Sequence, residues 1–146
     1  MARRFTLAEA QSLIPRVDGL LRQAIALKSE YQEAEEKVQA IAQRIALMGG
    51  VLVNREQVID ARNRRDQAGA QLKTAVEQVQ EFGCVIKDLD IGLIDFPTLL
   101  RGVEVYLCWK LGEPAIAYWH GVDEGFRGRK AIDQDFLDHH GGDRAQ

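Results

Sequence analysis

The sequence predicts an α+β protein: a long, coiled-coil-like antiparallel helical hairpin followed by a small antiparallel β-sheet. Three observations carry that expectation. Apolar residues recur at alternating steps of four and three through most of residues 13–82, the spacing of helices packed along a common seam. Composition changes near Gly83, because only Phe5, Tyr31 and Phe82 among the aromatics precede it and both tryptophans follow it. Beyond that point, short alternating runs are separated by glycine and proline clusters, as strands are by turns. The 146 residues suffice for one ordinary domain, and 46% hydrophobic with 28% charged residues argues against disorder.

The first helix has a readable start. Thr6-Leu7-Ala8-Glu9 fits a capping box, with Thr6 as N-cap and Glu9 reaching back to it. Pro15 removes an amide donor and crowds the preceding turn, so a kink or a break is expected there. Leu13, Val17, Leu20, Ala24, Leu27, Tyr31, Ala34, Val38, Ile41, Ile45 and Met48 then follow one seam, which Gly49-Gly50 ends. A second seam runs through Val58, Ala61, Arg65, Ala68, Leu72, Ala75, Val79 and Phe82. Only Arg65 is out of character in it, and its stem can snorkel or its head can pair with an acid such as Glu35. Gly83 ends this helix, as glycine commonly does. The short connection makes the two helices antiparallel. At 1.5 Å per residue the arms measure about 50 Å and about 40 Å. The base of the longer one therefore needs another apolar surface to cover it.

Cys84–Asp88, Leu93–Phe96, Val103–Leu111 and Ala115–Gly121 are the expected strands. Alternation puts Val103, Val105, Leu107, Trp109 and Leu111 on one face, with Glu104, Tyr106, Cys108 and Lys110 on the other. With a two- or four-residue turn at Gly112-Glu113-Pro114, Ile116, Tyr118 and His120 join the apolar face. Trp119 then points away from it. A three-residue turn reverses this. The expected organisation is a helical segment over 1–82, a β unit over 83–132 packed on the hairpin base, and a mobile tail over 133–146.

A string of landmarks crosses the second half: Cys84-Val-Ile-Lys87-Asp88, Gly92-Leu-Ile-Asp95-Phe96-Pro97, Val105-Tyr-Leu-Cys-Trp109-Lys-Leu-Gly-Glu, Trp119-His120 and Gly125-Phe126-Arg127-Gly128-Arg129. With the opening Phe5-Thr6-Leu7 and Leu13-Ile-Pro15, the chain resembles the bacterial domain-of-unknown-function family 2203 up to about residue 132. The resemblance implies a helical hairpin followed by a small β-rich unit, and no established activity.

The formal net charge of −3 argues against general polyanion binding. The basic run Arg62-Asn63-Arg64-Arg65 is flanked by Asp60 and Asp66, which weakens a nucleic-acid reading. No apolar run approaches the roughly 18 residues of a membrane span, and no secretory signal is evident. Two cysteines read as reduced thiols of a cytoplasmic protein.

Four constellations could carry chemistry. His120 with Asp88, Asp95, Asp123 and Glu124, and Asp90 nearby, offers imidazole and carboxylate ligands for a divalent metal, or a water held for general-base work. Tyr106, Trp109, Tyr118, Trp119 and Phe126 form an aromatic cluster; Tyr106, Trp119 and Phe126, with Arg127 and Arg129, make a candidate binding surface, Trp119 being the member expected to be exposed. Gly125–Lys130 is a basic loop able to clamp an anion. The fourth is the arginine run already described. Cys108 reads as a buried thiol with no histidine on its face. Two function classes follow. The helical pattern favours an interaction or oligomerisation module that self-associates or binds a protein through the hairpin. The alternative is a metal- or ligand-binding protein, or a small metal-dependent enzyme, with its site around His120.

Overall fold

The computed structural model describes residues 3–48 and 55–143. Helix α1 runs Leu7–Met48 and helix α2 runs Arg55–Glu81. Strands β1 (Val85–Asp88), β2 (Leu93–Leu100), β3 (Val103–Lys110), β4 (Tyr118–Gly121) and β5 (Lys130–Ala131) follow, then helix α3 (Gln134–His139) and strand β6 (His140–Gly141). The fold is α+β, a long helix packed on a second one plus a six-stranded antiparallel sheet. No described helix is long and apolar enough to cross a membrane.

The chain divides into two compact units. One is Gln23–Val76, and the other takes the chain up to Arg22 and from Glu77 onward. In the Gln23–Val76 unit, Ala24, Leu27, Ala34, Ala61, Ala68 and Ala75 are buried, and Tyr31 and Leu72 are half-buried. The ring of Tyr31 lies against Gly69, where an added Cβ would meet it at 3.3 Å. Arg65 does pair with Glu35, at 3.2 Å. The alanine-rich seam lets two helices approach closely, and the one buried-edge arginine keeps its charge matched.

The other unit holds the sheet. Thr6 and Glu9 form the capping box reciprocally: the Thr6 amide donates to Glu9 Oε1 at 3.0 Å and the Glu9 amide to Thr6 Oγ1 at 3.1 Å. Of the kink or break expected at Pro15, the break does not occur, because α1 is continuous through it. Pro15 is exposed, so the carbonyl it leaves without an amide can be hydrated, while Leu13, Ile14 and Val17 beside it are buried. Gly83 closes α2 with φ +98°, its amide donating to Gln80 O at 2.9 Å.

The sheet order is β1-β2-β3-β4-β5, with β6 also paired to β2. Arg101 and Gly102 join β2 to β3, both at positive φ (51° and 79°), the conformation of a two-residue primed turn. On one face Ile94, Phe96 and Thr98 stand opposite Trp109, Leu107 and Val105. With Phe5, Leu13, Ile14, Val17, Leu21, Val79 and Phe136 they make the core. Phe5 meets Phe96 edge-on at 5.3 Å.

Two expectations fail here, each for a local reason. The connection from Lys110 to Tyr118 comprises residues 111–117, an odd number, so the parity of β4 is reversed. Leu107 pairs with Trp119 and Tyr106 with His120. Trp119 therefore joins the apolar face, half-buried against Phe136 at 5.3 Å, and His120 leaves it. The tail expected to be mobile is structured through Asp143. Asp133 caps α3 by accepting the Phe136 amide at 2.8 Å, Phe136 fills the core, and β6 pairs with Leu99 and Leu100. Burying one phenylalanine contributes about 1.5–3 kcal/mol, enough to hold so short a helix. Arg4 and Asp143 also bond to each other, the Arg4 amide to Asp143 Oδ2 at 3.0 Å and the Asp143 amide to Arg4 O at 3.1 Å.

Candidate functional site

The reversed parity of β4 brings together residues that the sequence reading kept apart. Asp95 on β2 is paired across the ladder with Cys108 on β3. His120 on β4 stands beside them, because its cross-strand partner Tyr106 shares the face of Cys108. The three are almost inaccessible, at 1%, 0% and 3% exposure. One ligand-type atom from each, a carboxylate oxygen, Sγ and a ring nitrogen, lies within 4.8 Å of the other two.

Hydrogen bonding orients the imidazole. Its Nδ1 lies 2.8 Å from Gly121 O, and a carbonyl only accepts, so Nδ1 carries a proton. Its Nε2 lies 2.9 Å from Asp95 Oδ1. The other carboxylate oxygen, Asp95 Oδ2, is buried with no hydrogen-bond partner. An orphaned buried acceptor costs about 1–3 kcal/mol. Burial, and next the charge of Asp95, push the Cys108 thiol up to about 12, with Arg129 opposing. A thiol so disfavoured as thiolate is a poor free nucleophile. A bound cation would reverse that balance by ligating the thiolate directly.

These donors suit one class of ion. Imidazole nitrogen, thiolate and a single carboxylate are the ligands of zinc and its borderline neighbours. Calcium and magnesium want six or more oxygens and find one carboxylate here. The Nδ1 proton held by a backbone carbonyl is the arrangement that presents Nε2 to a metal. Two anionic ligands would neutralise a divalent ion, which offsets the expense of burying it.

The remaining candidates lie elsewhere. Asp88 accepts the Asp90 amide at 3.0 Å in the turn after β1. Asp123 is exposed. Glu124 accepts Lys130 Nζ at 2.6 Å and the Gly121 amide at 2.9 Å, and those bonds, Lys130 first, lower its pKa. Of the six acidic and histidine candidates, only Asp95 and His120 belong to the buried trio. Trp119 faces the core rather than solvent, while Phe126 and Arg127 are exposed in a short 3-10 turn. Tyr106 lies beside His120, with ring centroids 5.5 Å apart, and Lys87 Nζ sits 5.1 Å from the Tyr106 ring.

Arg129 is the part of the basic loop that reaches the trio. Its Nη2 donates to both Glu113 carboxylate oxygens, at 2.6 and 2.9 Å, and to Cys108 O at 3.4 Å. Its guanidinium lies 4.1 Å from the Tyr118 ring and 4.8 Å from the Phe126 ring. Glu113 is itself fixed by the Lys110 amide at 2.7 Å. Sequence reasoning missed Cys108 and Glu113. The signal available for Cys108 was the odd length of residues 111–117, which puts a histidine on its face; Glu113 carried none beyond its place in a turn.

The fold and the trio define an α+β protein with a buried imidazole, thiol and carboxylate on one face of a β-sheet. The chain belongs to the family described as Uncharacterized conserved protein (DUF2203), which matches over residues 3–132. No curated protein and no solved structure gives a match.

Proposed function

We propose that this protein binds one divalent d-block cation of the zinc class through His120 Nε2, Cys108 Sγ and the Asp95 carboxylate. The carrying observation is the convergence of three buried ligand-type atoms within 4.8 Å, one beside an unpartnered carboxylate oxygen. A purely structural trio would bury polar groups where apolar ones pack better, so its expense argues for use. The test is metal content by mass spectrometry on untagged protein purified without chelator, before and after incubation with Zn²⁺, Mn²⁺ and Mg²⁺. Near-stoichiometric zinc is expected, with loss in Cys108→Ala and Asp95→Asn while circular dichroism is retained. An empty protein after zinc incubation, or variants that bind as well as the parent, would sink the reading.

A second reading rests on the Gln23–Val76 unit. Ile45, Leu47 and Met48 of α1 and Ile59 of α2 are exposed there, Leu47 at 87%. Such a surface suits an interaction or oligomerisation module that self-associates or takes a protein partner. Sedimentation equilibrium over a wide concentration range tests it. Association abolished by Leu47→Glu supports this reading, and a monomer throughout removes its basis. Both thiols are buried and unpaired, which fits a reducing compartment, and we propose the cytoplasm.

A further inference from the structure

The trio supplies three ligands, and no fourth His, Cys, Asp or Glu joins it among the described residues. Zinc-class ions take four ligands or more, and structural sites fill every position with protein. One position would therefore belong to something from solution. Two orphaned buried polar atoms on this side of the sheet say what that is. One is an acceptor, Asp95 Oδ2, and the other is a donor, Arg129 Nε. Arg129 is 11% exposed, bonds to the Cys108 carbonyl, and acts electrostatically on the Cys108 thiol. A metal satisfies the orphaned oxygen. An oxygen ligand on that metal satisfies the orphaned N–H.

Building on the metal-binding reading above, we infer that the site takes a small oxyanion as exogenous ligand, its oxygen on the metal and held by Arg129 Nε. Size follows from burial. Asp95, Cys108 and His120 are only 1%, 0% and 3% exposed. A formate- or bicarbonate-sized ligand suits such an enclosed place, and a bulky phosphoester does not. Charge agrees: Glu113 balances one cationic charge at Arg129, and Lys87 adds another beside Tyr106. The guanidinium lies against the Tyr118 and Phe126 rings, so little further ordering of Arg129 is needed.

Cobalt(II) substitution tests this in the full chain. The protein loaded with Co²⁺ is expected to show thiolate-to-metal charge transfer and tetrahedral d–d bands. Sodium formate, titrated against sodium chloride at equal ionic strength, should shift the d–d bands; sodium benzoate should not. Arg129→Gln should weaken the formate response ~tenfold, the scale of one charge-assisted hydrogen bond. Glu113→Gln, which releases Nη2 without touching the metal ligands, should strengthen it and keeps the idea testable if Arg129→Gln fails to fold. Cobalt bands that ignore formate would overturn this inference and leave the metal reading standing. Benzoate acting as well as formate would overturn the size argument and the inference with it. No cobalt spectrum at all would defeat both.

Discussion

Each face of the sheet has a buried centre, and the two centres are built on different terms. One presents Ile94, Phe96, Leu107 and Trp109 to α1 and α3. The other presents Asp95, Cys108 and His120, almost as inaccessible as the tryptophan behind them. Packing alone explains the first face, since apolar area leaves water and every group finds a neighbour. It does not explain the second, where a thiol, an imidazole and a carboxylate have been taken out of water and one oxygen remains unpaired. Depth of burial does not separate core from site here; unspent hydrogen-bonding capacity does.

Substitutions can drive the two faces apart. On the apolar face, Trp109→Ala is expected to cost about 3–5 kcal/mol through lost contact and an unfilled cavity, read as a lowered urea midpoint. A loss under about 1 kcal/mol would mean the core lies elsewhere. On the polar face, His120→Ala should cost about as much in metal-free protein, by leaving the Asp95 carboxylate buried without its partner. The distinguishing variant is the double replacement Asp95→Leu with His120→Phe. It should recover most of that loss, because removing both partners removes the unpaired group. If the double variant is as unstable as the single one, the pair is structural and the comparison collapses.

Cys108→Ala sharpens the contrast further. It deletes one small buried group and should cost ~1 kcal/mol, yet abolish zinc uptake. The smallest effects fall at the start of α1, which carries the apolar face. Thr6→Ala should lose ~1 kcal/mol with the cap. Glu9 has its pKa lowered, first by the backbone bond to Thr6. Its contribution is therefore present above the ordinary glutamate value and fades as pH falls through the lowered one. Glu9→Gln should flatten that part of the acid-unfolding curve; an unchanged curve would show that the carboxylate is incidental.

Much of this was legible in the residues. The helical seams gave buried or half-buried positions from Leu13 to Ile41 and from Val58 to Phe82, whereas Ile45 and Met48 at the end of the first seam are exposed, and the box at Thr6 and Glu9 formed as spelled. The faces of β3 followed from alternation. What failed depended on counting across irregular chain. The period of a strand is two, so one residue more or less in the segment after Lys110 exchanges every side chain of β4. That exchange moved His120 to Cys108 and Trp119 to Phe136. Over 133–143, the described part of the tail expected to be mobile, the anchor is Phe136, whose site exists only once the sheet has formed. Asp95 was a candidate from the start, but its partnership with Cys108 is a fact of register between two strands.

The mutual bonds of Arg4 and Asp143 have a consequence for the order of the chain itself. Two segments far apart in sequence meet at bonding distance, so a short peptide bridge could fuse them at little entropic expense. New ends could then be opened between Met48 and Arg55. Such a circular permutant would start at α2, run through the sheet and finish with α1. Should it fold as stably as the parent, the linear order of the elements would be incidental to the trio, and their pairing alone would define it.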